Sequence, residues 1–261
     1  MTQQLPTVQF ASFAYGSLSQ AGDPAEDFHE AAKLYPSFAA RQLTLSEHPA
    51  LSASMRRSSR RHPHRPRVML PPAPPCEAPV DELLRARRSR PPAPASTLEL
   101  VDLAALAAAY ESDPTTGLRL VPSGGALYPL ELYVLAHRVT GLPAGIYHLD
   151  PFDRALELLG EGPPKLAGAF VDAALAGNAA AVAVLTGVFY RSRCKYGLRG
   201  YRFALLEAGH LMQVLLLLAT ASGIDALPLG GFYDAALDRL VRANGVDESV
   251  LYAVALGRRA G

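Results

Sequence analysis

The chain has 261 residues, of which 49% are hydrophobic and 19% charged, with a formal net charge of +1. That length holds one large domain, or one domain with an appendage, and the hydrophobic share supports a sizeable core. The charge balance excludes a chain that binds nucleic acid over its whole surface, which would be strongly basic.

Cys76 and Cys194 form no spacing motif, so no disulfide framework is expected and a reducing compartment fits. Histidine, cysteine and carboxylate residues show no metal-like spacing, and no structural metal is predicted. The N-terminal MTQQLPTVQF has no basic region followed by an apolar core, so it does not read as a secretory signal. The longest apolar run, 211–221, is too short to span a bilayer. A cytoplasmic protein is the expectation.

Residues 1–78 are polar and lack regular periodicity. The basic run MRRSSRR at 55–61 and the proline run PPAPP at 71–75 read as an irregular arm ending in a semi-rigid linker. Such a basic block touches an acidic partner or, more commonly, is a solvated linker. From residue 79 to 261 the pattern is that of a domain. Residues 80–88 read as a short helix. Ser96-Thr97-Leu98-Glu99 has the form of a capping box opening a helix over 97–110. Residues 132–139 are β-rich and apolar, and 145–149 with 155–159 flank the turn Asp150-Pro151-Phe152-Asp153 as a hairpin. Residues 179–188 form a further apolar strand. Residues 201–222 predict a long helix that is apolar all round, hence buried in a core or a subunit interface. A short strand at 227–229, a helix at 234–242 and a strand at 250–256 complete the pattern. Strands and helices mix without a strict βαβ rhythm, which predicts an α+β fold.

Four places offer chemistry. Arg85, Arg87, Arg88, Ser89 and Arg90 cluster at a helix end; arginine forks match phosphate oxygens, although a solvated basic helix end has the same composition. PSGGALYP at 122–129 is either a turn before a strand or a ligand-facing loop, since its paired glycines let backbone approach a flat ligand. It matches neither a dinucleotide fingerprint nor a phosphate loop. LPLGGF at 227–232 repeats that logic, though taken alone it reads as a turn. Lys195 and Tyr196, in RSRCKYGLRGYR, offer a base and a proton holder, but that segment alone reads as an exposed basic loop. His210 and Gln213 read as hydrogen-bonded core residues. Glu207-x-x-His210 has the spacing of a carboxylate metal site but lacks a second copy on another helix.

Taken together, the motifs Arg87-Arg88-Ser89, PSGGALYPLELYV, GIYHLDP, KYGLRGYR, LLEAGHLMQ, ALPLGGF and VLYAVALGR resemble the nitroreductase-like flavoprotein superfamily. More closely they resemble its SagB-type dehydrogenases, the McbC-like azoline oxidases. The resemblance covers about residue 79 to the end, and FHEAAKLYP at 28–36 resembles an N-terminal element of the same group. It implies a mixed or antiparallel central sheet flanked by helices, in a homodimer with FMN in a cleft between subunits. By position, Arg87, Arg88 and Ser89 would hold the FMN phosphate and ribityl chain, with Arg258 as a second phosphate contact. Pro122, Ser123, Gly124 and Gly125 would line the isoalloxazine ring. Leu229, Gly230 and Gly231 would present backbone amides near flavin N5. Pro91 stands where the family usually carries another basic residue, which leaves open which arginine meets the phosphate.

Lys195 and Tyr196 match the pair that azoline oxidases use in catalysis. The implied activity is oxidation of peptide thiazolines or oxazolines to thiazoles or oxazoles in the biosynthesis of ribosomal peptide antibiotics. The implied partners are an azoline-containing precursor peptide and a cyclodehydratase complex. Two alternatives stay open: an NAD(P)H-dependent FMN reductase of nitro or quinone compounds, and a non-catalytic binding subunit of a peptide-modifying complex.

Overall fold

The computed structural model describes residues 24–35, 54–55 and 57–258. The N-terminal decapeptide, Pro36 and Arg56 lie outside the described residues. In chain order the elements are α1 (Pro24–Ala31), β1 (Arg67–Met69), α2 (Val80–Ala86), β2 (Leu98–Glu99), α3 (Leu100–Ala107) and a single 3-10 turn (Gly124–Ala126). There follow β3 (Leu130–Ala136), β4 (Val139–Thr140), β5 (Gly145–Asp150), β6 (Ala155–Glu161), α4 (Ala173–Asn178) and β7 (Ala181–Val188). The last elements are α5 (Tyr190–Tyr196), α6 (Arg199–Ala221), β8 (Ile224–Leu229), α7 (Asp234–Val241) and β9 (Glu248–Arg258).

Seven strands form one sheet in the order β1-β6-β5-β3-β7-β9-β8. Every pairing within it is antiparallel. Strand side chains alternate between faces, and that alternation builds two cores. Leu132, Val134, Ala181, Ala183 and Leu185 join Leu103 and Leu106 of α3 and Leu211, Met212 and Leu215 of α6. Tyr133, Leu135, Val182 and Val184 join Leu166, Phe170, Ala176 of α4 and Leu237 of α7. The result is the predicted α+β architecture, a central antiparallel sheet flanked by helices.

The capping box sits three residues later than its sequence signature. Leu98 and Glu99 pair in parallel with Val139 and Thr140, and the box that opens α3 is made by Glu99 and Asp102, with Glu99 N donating to Asp102 Oδ2 at 2.9 Å. Pairing with a neighbouring strand outweighs the local Ser96 signal. The 132–139 strand ends at Ala136, because His137 and Arg138 both donate their amides to Ala180 O. Residues 190–196, expected as a loop, form α5.

The basic block is not a solvated linker: its acidic partner is this same domain. Arg60 N donates to Glu131 Oε1 at 2.7 Å, and the Arg60 guanidinium meets Glu248 at 2.5 Å. His62 N donates to Glu157 Oε2 at 3.1 Å, and Arg67 bridges Asp150 and Asp153 at 3.0 Å each. β1 then pairs with β6. Further upstream, Phe28 of α1 meets Tyr201 edge-on at 5.4 Å.

Helix α6 is apolar by composition but not buried all round. By length and composition alone it could cross a membrane, yet it packs along the sheet, against α3 and against α5. Its outer face exposes Leu205, Leu206, His210 and Gln213. The two polar residues are therefore surface residues, because the helix turns them away from the sheet.

Candidate active site

The PSGGALYP segment is a tight loop whose backbone turns left-handed at Gly125 (φ 69°), Ala126 (φ 54°) and Tyr128 (φ 44°). Such conformations are uncommon outside glycine and collect at functional sites. Its own polar groups hold it: Tyr128 N donates to Ser123 Oγ at 2.9 Å, and Ala126 N to Ser123 O at 3.0 Å. Arg119 N donates to Tyr128 Oη at 2.9 Å, and the Arg119 guanidinium lies over the rings of Tyr110 and Tyr128.

Helix α5 brings Lys195 and Tyr196 to this loop. A Cβ added to Gly125 would lie 2.5 Å from Tyr196 Oη and 3.2 Å from Lys195 Nζ. A side chain at Gly125 would be strained by its φ and would press on the tips of Tyr196 and Lys195. Lys195 Nζ sits 5.3 Å from the Tyr196 ring centroid, and Tyr196 packs edge-on against Phe203 at 4.9 Å. An amine, a phenol and a bare stretch of backbone therefore converge on one point.

Behind the loop lies Glu207, 5% exposed. It borders a cavity of about 240 Å³ shared with Pro122, Ser123, Gly124, Phe203 and His210. Burial pushes its carboxyl up to about 7, against the pull of the Ser123 hydroxyl, Arg119 and Arg191. Its Oε2 has no hydrogen-bond partner among the described residues. Glu207 thus faces the loop rather than a metal-binding partner helix.

The arginine group lies elsewhere on the chain. Arg87 Nη1 reaches Ser89 Oγ at 3.4 Å, and Arg88 Nη1 donates to the carbonyls of Arg85 and Arg87 at 2.8 Å. Arg88, Ser89 and Arg90 are exposed. Arg90 N donates to Ala226 O at 3.0 Å, which fastens the segment to β8. Leu229, about 10 Å further along that strand at its ordinary rise, leads to the exposed Gly230 and Gly231. Arg258, opposite Ile224 in the β8–β9 register, donates to Asp102 Oδ1 at 2.6 Å. It borders a separate cavity of about 490 Å³ with Cys76, Glu77 and Ala105. Within one chain the structure thus joins Lys195 and Tyr196 to the glycine loop, and the arginines to β8. The two cavities share no lining residue.

Sequence reasoning missed a buried polar relay beside the site. Glu131, His148, Glu157 and Glu248 are each 1% exposed or less. His148 Nε2 faces Glu131 Oε2 at 2.8 Å, and its Nδ1 faces Glu157 Oε2 at 3.0 Å. With a carboxylate on each nitrogen, the ring satisfies both only as the imidazolium. Burial opposes that charge, but the two carboxylates win and push His148 up to about 9. Burial likewise disfavours ionised Glu131, yet Arg191 and His148 hold it well below the usual carboxylate range. Tyr110 Oη donates to Glu131, and Tyr133 Oη and Thr186 Oγ1 to Glu248. His62, His148 and Glu157 place donor atoms within 4.8 Å of one another, but both His148 nitrogens are committed to carboxylates. The available signal was a charged residue inside an otherwise apolar strand, as at Glu131 and His148.

The pattern of the nitroreductase family matches residues 84–258. The chain belongs to the nitroreductase family. Its relatives include a Methanocaldococcus jannaschii protein named "Putative nitroreductase MJ1384", 31% identical over 186 residues, which span 70% of this chain and 92% of that protein. The Escherichia coli "Microcin B17-processing protein McbC" is 33% identical over 131 residues. That match spans only 47% of each chain. Among solved structures, a chain of the E. coli microcin synthetase McbBCD complex with truncated pro-MccB17 bound has a TM-score of 0.59 at 23% identity. The match covers 91% of this chain and 92% of that one, a likeness of fold.

Nitroreductase-family proteins are flavin-dependent oxidoreductases, and the residues here fit a flavin. Exposed Arg88, Ser89 and Arg90 present donors suited to phosphate. At Gly230 nothing lies within 4 Å of where a Cβ would stand, so its backbone is open to the close approach of a flat ring.

Proposed function

We propose that this chain is an FMN-dependent dehydrogenase of the SagB type, oxidising peptide thiazolines or oxazolines to the aromatic azoles. The observation that carries the reading is the meeting of Lys195 Nζ and Tyr196 Oη at Gly125. The partial likeness to McbC supports a peptide substrate.

Oxidation of an azoline removes a proton from the α-carbon and a hydride from the neighbouring ring carbon. FMN, when bound, supplies the hydride acceptor. Arg87, Arg88 and Ser89 would hold its phosphate, with Arg258 as a second contact that keeps part of its fork on Asp102. Pro122, Ser123, Gly124 and Gly125 would line its ring, and Leu229, Gly230 and Gly231 would face its edge. Lys195 takes the α-proton at Nζ, and Tyr196 Oη, on the same side of Gly125, orients that amine. The left-handed loop and helix α5 hold both groups at one point, so positioning contributes much of the rate. The precursor peptide, a cyclodehydratase complex and a second copy of this chain are the proposed partners.

Purified protein should carry an oxidised-flavin absorption spectrum and remove two hydrogens per ring from a thiazoline peptide, read by mass. Lys195→Ala should keep the flavin and lower turnover about 10²- to 10⁴-fold. Unchanged turnover removes Lys195 as the base. The name of the M. jannaschii relative favours a second reading, an NAD(P)H-dependent reductase of nitro or quinone compounds. Rapid flavin reduction by NADPH, with nitro turnover indifferent to Lys195→Ala, would establish that reading instead. Peptide binding by protein that retains no flavin would point to a non-catalytic subunit.

A further inference from the structure

We propose that Arg191 is the positioning residue of this site, locking helix α5 to the PSGGALYP loop with Glu131 as its anchor. The proposal rests on the reading of Lys195 and Tyr196 as the proton-handling pair.

Helix α5 has seven residues and no side-chain cap at its N-terminus. A helix of that length is unstable in isolation, so tertiary contacts decide where Lys195 points. Arg191 lies one turn before Lys195, and residues at that spacing share a helix face. Its Nη1 donates to Tyr128 O, in the loop, at 3.2 Å. Its Nη2 donates to Glu131 Oε1, on β3, at 2.5 Å. One rigid guanidinium therefore ties together the catalytic helix, the glycine loop and the sheet. A lysine has a single nitrogen and cannot hold that geometry on both acceptors in the same way.

The anchor is itself immobile. Glu131 also accepts from Arg60 N, Ser59 Oγ, Tyr110 Oη and His148 Nε2. Donors from Ser59 and Arg60, from Tyr110 just beyond α3, and from β5 thus surround it. The Arg191 side chain is 13% exposed, and a buried ion pair with so many fixed partners holds its geometry against small displacements. Loop and helix are brought into register by a residue whose guanidinium is committed to Tyr128 O and Glu131.

The test uses the full chain with flavin bound and a short peptide carrying one thiazoline ring. Arg191→Lys should raise hydrogen exchange about tenfold at 190–197 and 122–128, leaving the sheet amides unchanged. It should lower kcat about 10²-fold with KM unchanged, the effect of a misplacement on the order of 1 Å. Glu131→Gln, which keeps size but loses the ion pair, should likewise speed exchange at 190–197 and 122–128 and lower kcat, with added exchange along 59–62 and β5 from its other partners, and it decides the matter if Arg191→Lys does not fold. Arg193→Lys, at an exposed position on the same helix, should change neither quantity. Unaltered exchange at both segments overturns the proposal, and so does faster exchange with kcat intact or an equal effect from Arg193→Lys. Full turnover in Lys195→Ala would instead overturn the reading of the proton-handling pair, while the exchange result still decides whether Arg191 holds the helix.

Discussion

Glu207 illustrates how burial alone changes what a side chain does. From the sequence it was half of a metal-like Glu-x-x-His spacing; in the fold it lies under Ser123 with Oε2 unpartnered among the described residues. Its pKa rises from 4.5 to about 7, so the folded state binds its proton more tightly than the unfolded state does. The stability this contributes is fully present below about pH 4.5 and is lost as pH rises through about 7, on the order of 3 kcal/mol. Glu207→Gln should therefore leave Tm nearly unchanged at pH 5 and raise it at pH 8. A Tm difference that is the same at both pH values would show that the carboxyl does not titrate in this window. The family resemblance implied that Lys195, Tyr196 and the paired glycines belong to one site, whereas the residue types alone read as an exposed basic loop and a turn. That Gly125 is the point where amine and phenol meet depends on a left-handed φ and a helix crossing, which no local pattern encodes.

At the level of elements, the join between α5 and α6 sets the site. A Cβ at Gly200 would come within 2.6 to 2.7 Å of the Ser192 and Arg193 backbones, so the two helices pack with backbone touching backbone. Gly200→Ala has to push α5 away. It should destabilise the protein by about 1–3 kcal/mol, as overpacking does, and slow the proposed ring oxidation by more than its loss of folded protein explains. Denaturant melts beside turnover measurements separate the two; a variant with wild-type stability and rate would mean the join can relax. Strands 145–150 and 155–161 and helix 234–241 were legible because their periodicity and turn residues agree with their final environment. The capping box was misplaced because Leu98 and Glu99 gain more from pairing with β4 than Ser96 gains from capping. α5 was hidden because a short, strongly basic segment has little helical signal of its own, and its order comes from Arg191, Tyr128 and Glu131.

Across the whole molecule, the buried relay ties the N-terminal segment to the sheet. Glu131, Glu157 and Glu248 receive the 59–62 segment from one side and the strands' own donors from the other. His148 has its pKa raised from 6.5 to about 9. Its contribution to stability, on the order of 3 kcal/mol, is complete below pH 6.5 and is lost as pH rises through about 9. Thermal melts between pH 6 and 10 should show that decline, and His148→Gln, less stable throughout, should flatten it. A decline that persists in the variant would place the titrating group elsewhere. Hydrophobic periodicity by itself determined the α+β class, and the order of the motifs pointed to the nitroreductase family, whose pattern matches residues 84–258. Only the tertiary structure decided that the basic arm folds back onto its own carboxylates, that Glu207 lies behind the glycine loop, and that Arg191 joins loop to helix. Those outcomes depend on which charges share a low-dielectric interior, and that is settled by packing between segments far apart in the chain.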